Sequence, residues 1–131
     1  NSEKYQIQHW DWNIDNKLIR LITMINRVRK EQPALQQTTN IRFCDIGNEG
    51  LIAYYKWDQH MNNELLIIVS LDPYYKQAAR VRLPYELMQQ NPGSHLRVED
   101  LITANTYDWA EEWNYVELHP TLPFHIFKIS R

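Results

Sequence analysis

Lys17–Leu35 reads KLIRLITMINRVRKEQPAL, and Leu18, Leu21, Ile22, Ile25 and Val28 recur in it at the three-and-four spacing of one helical face. Arg20, Thr23, Arg27, Lys30 and Glu31 fall on the opposite, wet face. Asp15 or Asn16 caps the first turn by accepting from its free amides. Arg27, Arg29 and Lys30 crowd the C-terminal end, where the macrodipole favours cations. Pro33 forces Gln32 out of helical geometry and stops the helix. An amphipathic helix of about four turns does not stand alone in water, so its apolar face needs a partner. Everything after it reads as strand, and what that partner is decides the fold.

Working outward from the helix, residues 1–16 show no period and set aromatic, charged and amide groups close together, as in a loop packed at a site. Gln36–Asn40 is a polar turn. Ile41–Asp45, Leu51–Trp57 and Glu64–Leu71 then read as strands, separated by the turn-formers Gly47-Asn48-Glu49-Gly50 and Asp58–Asn63. Ala78–Leu83, His95–Asp100, Trp113–Leu118 and Phe124–Ile129 follow, with breakers at Asp72-Pro73 and Asn91-Pro92-Gly93 and one helical turn over Tyr85–Gln90. Seven or eight short strands with hairpin-length connections predict a mainly β protein, an antiparallel β-sandwich preceded by one amphipathic helix. Leu65–Val69 is apolar on both faces, whereas a sandwich strand needs only one face buried, so its outer face must be covered. Phe124–Ile129 has the same character apart from His125 and Lys128. The expected cover is the helix, a larger domain, or a second copy of the chain.

A chain of 131 residues suits one core, and a net charge of −2 gives no electrostatic reason to bind nucleic acid or an anionic membrane. No apolar run approaches the roughly 20 residues of a membrane span, and no signal peptide is legible. Cys44 is the single cysteine, so no disulfide framework exists and a reducing, cytoplasmic compartment is compatible. It reads as a small strand hydrophobe rather than a nucleophile.

Motifs for chemistry are missing. His9, His60, His95, His119 and His125 show no ligand spacing, so neither a metal nor a cofactor is expected. There is no phosphate-cradling glycine loop and no GxSxG elbow. Asp11, Asp15, Asp108, Glu111 and Glu112 are the carboxylates from which a glycosidase pair would be drawn, but they read as solvated turns. Five Trp and eight Tyr leave room for sugar-stacking surfaces or for an aromatic core. A core role is the better expectation for Trp57, Trp109 and Trp113, so glucan affinity is expected to be weak.

A helix ending in basic-acidic-x-Pro-Ala-Leu and running into an all-strand domain resembles the end of an alpha-amylase-family enzyme. Ser2–Trp12 (SEKYQIQHWDW), Leu66–Gln77 (LIIVSLDPYYKQ), Val98–Trp109 (VEDLITANTYDW) and Trp113–Pro120 (WNYVELHP) sharpen this. They resemble the alpha-1,4-glucan:maltose-1-phosphate maltosyltransferases of that clan. The likeness runs over nearly the whole chain. One departure is Ala110-Glu111, where the family pattern has glycine, which implies a lost positive-φ position.

The resemblance implies that residues 1–35 are the last loop and helix of a catalytic barrel and residues 36–131 a C-terminal β-sandwich domain. It implies a parent glycosyltransferase that moves maltosyl units from maltose 1-phosphate onto α-1,4-glucan with retention, as in glycogen metabolism. The Asp nucleophile and Glu acid/base would lie upstream, so this chain alone is expected to have no catalytic residue and no activity. Lys4, in the Glu-Lys-Tyr segment, is implied to reach the donor sugar in the intact parent, where an ammonium supplies three donors to hydroxyls. Implied partners are the upstream barrel and, through it, glucan or maltose 1-phosphate, with self-association through the helix face as a further expectation. Two other readings stand beside this one: an α-glucan-binding module, and the C-terminal domain of an amylase-type glycoside hydrolase.

Overall fold

The computed structural model describes residues 23–37 and 39–131. Residues 23–31 are helical (α1). Gln32 is extended at φ −111° and ψ 103°, and Pro33 opens a 3-10 turn over Pro33–Gln36, so the helix stops where the proline requires. Of the predicted apolar face, Ile25 is half-buried and Val28 fully buried; Leu18, Leu21 and Ile22 lie outside the described residues.

The partner of α1 is the chain's own sheet. Among the described residues nine strands form a six-stranded antiparallel sheet and a three-stranded one. The large sheet runs in the order β1 (Ile41–Phe43), β3 (Leu51–Trp57), β4 (Glu64–Ser70), β9 (Phe124–Ser130), β6 (Leu96–Asp100), β7 (Thr106–Trp109). The small sheet is β2 (Asp45–Ile46), β5 (Gln77–Arg82), β8 (Trp113–Leu118). Alternation sends Tyr55, Leu66, Ile68, Val98 and Phe127 to the inner face, where they meet Val81, Val116 and Leu118 of the small sheet. A short helix α2 (Tyr85–Met88) closes one end of this core with Tyr85 and Met88, and Gln89 in the left-handed region ends it.

The outer face of the large sheet is a second core. Leu65 and Ile67 of β4 and Ile126 of β9 point away from the small sheet and pack with Val28 and Ala34. The two-faced apolar pattern of β4 is thereby satisfied, with Leu65, Leu66 and Ile68 fully enclosed. Polar ties fix the register of this layer. Asn63 Oδ1 accepts from the Ala34 amide at 2.9 Å, and its amide nitrogen donates to Gln32 Oε1 at 2.6 Å. Asn40 Nδ2 donates to the carbonyls of Ala34 and Trp57. At the far end of β4, buried Glu64 accepts from Tyr55 Oη at 2.6 Å and from two nitrogens of Arg131. Burial and that carboxylate push the Tyr55 hydroxyl far above its usual range.

Two strand readings need correction. The run Ile41–Asp45 is two strands, because the chain leaves the large sheet at Cys44 and enters the small one at Asp45. Cys44 is therefore the crossing between sheets rather than a strand residue; burial, with Asp45 adding to it, pushes its thiol up to about 12, so it is inert. Thr106–Trp109 is an edge strand that the pattern reading leaves inside a loop, since Thr106, Tyr107 and Asp108 are all exposed. At Ala110-Glu111 the expectation of a lost positive-φ position agrees with the structure, since neither residue takes a positive φ. The nearby left-handed position is Gly93 at φ +87°, where an added Cβ would come within 3.6 Å of the Ala110 carbonyl.

The two sheets are joined at one end by a buried polar bridge. Asp100, 1% exposed, accepts from the Ile102 and Thr103 amides through Oδ1 and pairs with His125 Nδ1 at 3.1 Å. His125 Nε2 reaches across to the Glu117 carbonyl of β8 at 2.7 Å. Both partners are acceptors, so both ring nitrogens donate and the ring is an imidazolium. Burial opposes that charge, but Asp100 and the Glu117 carbonyl outweigh it and raise the His125 pKa above 6.5. Burial likewise works against the Asp100 carboxylate, yet His125 and the two amides hold its pKa below the ordinary 3.8.

Two outcomes follow from this architecture. Val28→Asp places a charge between α1 and β4 and lowers unfolding free energy by about 2–4 kcal/mol in a urea titration; an unchanged midpoint would show that α1 does not dock there. The raised histidine stabilises fully below its ordinary value and loses that contribution as pH rises through its folded value, while the depressed aspartate loses its own only in acid. As pH rises above the ordinary histidine value the native chain therefore loses stability relative to His125→Gln. Parallel stability curves would refute the bridge.

Candidate functional site

Two of the concave surfaces among the described residues lie on opposite sides of the large sheet. The outer one is a groove of about 470 Å³ beside α1, floored by Ile67, Val69, Phe124 and Ile126 and edged by Arg29 and Lys56. Most of its lining is apolar, and Lys56 is held down by donating from Nζ to the Gln37 carbonyl at 2.6 Å. Burial lowers the Lys56 pKa. An apolar floor edged by cations is suited to docking a protein surface rather than to chemistry.

The inner surface is a cleft of about 450 Å³ where the sandwich opens between β7 and β8, the adjoining edges of the two sheets, with β9 behind. Tyr107 stands on the β7 wall and Val116 on the β8 wall, while the Tyr115 and Glu117 side chains point to the outer face of the small sheet. Phe127 is the floor, with Tyr107 and Trp109 edge-on to it at centroid distances of 6.2 and 5.6 Å and the His125 ring stacked on it at 4.9 Å. Tyr115 Oη donates to Glu117 Oε2 at 2.7 Å, which, with Lys76 and His119 nearby, holds the Glu117 pKa below its usual value.

The carboxylates singled out in the sequence are engaged elsewhere. Glu111 pairs with Arg80 at 3.2 Å, Glu112 with Arg82 at 2.7 Å, and Asp108 with His95 at 3.0 Å, all at the surface. Asp11, Asp15 and Lys4 lie outside the described residues. Among the described residues no cluster of His, Cys, Asp and Glu is arranged to hold a metal ion, and no helix is long and apolar enough to cross a membrane. Trp109 is buried, Trp57 stacks on Tyr55 at 5.5 Å, and Trp113 is 36% exposed. Of these three, Trp109 and Trp57 serve as core, and the exposed aromatics among the described residues are Phe43, Trp113 and several tyrosines. Sequence reasoning missed the cleft because its walls come from three separated strands. The available signal was Tyr107 and Trp109 at alternate positions, which in a strand share a face.

Residues 43–129 match the family model described as GLGE, C-terminal. The Alpha-1,4-glucan:maltose-1-phosphate maltosyltransferase of Chlorobaculum tepidum is 38% identical over 99% of this chain, and that of Methylacidiphilum infernorum 36% over 100%. The chain spans 20% of the length of each of these curated relatives. Among solved structures, an alpha-amylase from Geobacillus thermoleovorans superposes with a TM-score of 0.63 at 14% identity, over 93% of this chain and 25% of that one. An Anoxybacillus alpha-amylase gives 0.59 at 12% identity, over 88% and 23%. At such identities the likeness is one of fold, an amylase-type C-terminal β-sandwich. The matched span runs from the last residue of β1 to the penultimate residue of β9, taking in both sheets, and the chain belongs to the GLGE C-terminal family.

Proposed function

We propose that this chain is the C-terminal, non-catalytic part of a maltosyltransferase that uses maltose 1-phosphate and α-1,4-glucan. The observation that carries the reading is the relatives' similarity over the whole chain, including residues ahead of the sandwich. In this reading residues 1–35 finish the catalytic barrel and residues 36–131 form the accessory domain. The domain acts by packing. Its outer groove, apolar and edged by Arg29 and Lys56, receives the upstream barrel and fixes the position of the last barrel loop. Lys4 sits on that loop and donates to the hydroxyls of the donor sugar. In the isolated chain the same groove is where two copies would associate. The site of action is cytoplasmic, in keeping with a lone, unreactive cysteine.

The test is a transfer assay on the longer protein that carries this chain. It should release inorganic phosphate from maltose 1-phosphate only when maltohexaose is present, and lengthen the acceptor by maltosyl units. The 131-residue chain alone should do neither. Lys4→Ala in the longer protein should raise KM for maltose 1-phosphate about tenfold or more, the loss of a charge-assisted hydrogen bond. Release of free maltose without acceptor extension would make the parent a hydrolase, and phosphate release by the chain alone would overturn the accessory role.

A further inference from the structure

We propose that the outer groove receives a carboxylate side chain carried on an apolar protein surface, and that Lys56, seconded by Arg29, binds it. The carboxylate and its apolar surround come from the groove itself; their placement on the upstream body rests on the function proposed above.

Lys56 is 9% exposed, a depth at which a lysine is ordinarily paired with an anion. It stands on the outer face of β3 between two apolar neighbours, Leu65 of β4 and Ile41 of β1. Among the described residues its Nζ has one acceptor, the Gln37 carbonyl at 2.6 Å, and no carboxylate. An ammonium carries three donors, so two remain for an incoming group. Burial lowers the Lys56 pKa, and no neighbouring charge opposes that shift. No Asp or Glu lines the groove, and Arg29 at its edge also has no ion-pair partner among the described residues. Elsewhere the chain does pair its cations: Lys76, Arg80, Arg82 and Arg131 each meet a glutamate. The groove is where the counterion is missing.

The surroundings of Lys56 say what carries the carboxylate. The apolar floor of the groove continues past it to Phe43, 66% exposed, and Ile52, 36% exposed. Phe43 is paired with Tyr54 and Ile52 with Val69, so both side chains stand on the same outer face. A free anion would meet Lys56 and Arg29 but leave that apolar face open. A second copy set face to face would cover it, yet would bring Lys56 and Arg29 against their own counterparts. A different protein surface satisfies both demands, with apolar residues around one acid. The chain spans 20% of the length of its curated relatives, and in a protein of that length the remaining body supplies such a surface. Closing the groove excludes water, which strengthens the charge-assisted hydrogen bond formed inside it. The apolar floor then provides adhesion, and the ion pair fixes the register of docking.

The experiment measures thermal unfolding of Lys56→Met in the 131-residue chain and in the longer protein that carries it. In the 131-residue chain the midpoint should stay or rise, because a buried charge without a counterion is removed. The Gln37 carbonyl loses its ammonium, but Gln37 is exposed and takes water instead. In the longer protein the same substitution should lower the midpoint by about 3 °C or more, through the stranded carboxylate. A fall of equal size in both proteins makes Lys56 a tie to Gln37 and overturns the site. An unmoved midpoint in the longer protein overturns the carboxylate. Carbodiimide coupling, which joins an amine to a touching carboxylate, gives a second reading by mass spectrometry. It should link Lys56 to an Asp or Glu outside the 131 residues, and a link to Glu3, Asp11 or Asp15 overturns the assignment to the upstream body. So does a link to a second copy. Neither readout is transfer activity. The expected shifts beside a longer protein that leaves maltose 1-phosphate intact refute the enzyme reading alone, and their absence beside an active transferase refutes the groove alone.

Discussion

The structure depends on β4 being buried on both of its faces. Leu66 and Ile68 face the small sheet, while Leu65 and Ile67 face α1 and the Pro33–Gln36 turn. At about 1.5–3 kcal/mol for each enclosed aliphatic side chain, the outer pair is worth as much as the inner pair. A sandwich with its large sheet bare would forgo that contribution and expose an apolar strip in the middle of six strands. The helical segment ahead of the sandwich is therefore part of the fold's energetics, and packing runs without a break from α1 into the large sheet.

Packing alone does not choose a register on an apolar surface, and here polar groups do so. Asn63, in the β3–β4 turn, and Asn40, before β1, bind the backbone of Ala34 and Trp57, and Asn63 also binds the Gln32 side chain. Each of these side chains satisfies backbone groups that would otherwise be buried without partners, a penalty of about 1–3 kcal/mol apiece. On the inner side the Asp100–His125–Glu117 bridge does the same between sheets that share no strand. Shape supplies the stabilisation and amides and carboxylates supply the specificity.

How much of this was legible in the sequence follows from which signals are local. The proline stop at Gln32, the two-faced strand Leu65–Val69 and the strand pattern from Leu51 to Ile129 are local, and each is where the pattern puts it. The edge strand Thr106–Trp109 was not legible because an edge needs only one buried position, and Trp109 supplies it alone. The split at Cys44 was hidden because a strand that changes sheets keeps its alternation and its composition. The groove and the cleft were hidden for a different reason. Each is made by side chains from strands distant in sequence, and only the order β1-β3-β4-β9-β6-β7 brings them together.

That strand order also explains why one small domain can carry two surfaces without conflict. The central pair β4 and β9 divides the molecule, so that successive residues of β9 serve opposite sides. Phe124 and Ile126 floor the outer groove, while His125 and Phe127 back the inner cleft. The two surfaces are therefore one residue apart in the chain and a sheet's thickness apart in space. Coupling between them runs through a hydrogen-bonded strand held at both ends, by Ser70 donating to the Pro123 carbonyl and by Glu64 gripping Arg131. A rigid strand of this kind lets the outer face be optimised for packing while the inner face keeps the exposed Tyr107. Phe124 and Ile126 thus belong to the outer groove, and His125 and Phe127 to the inner cleft.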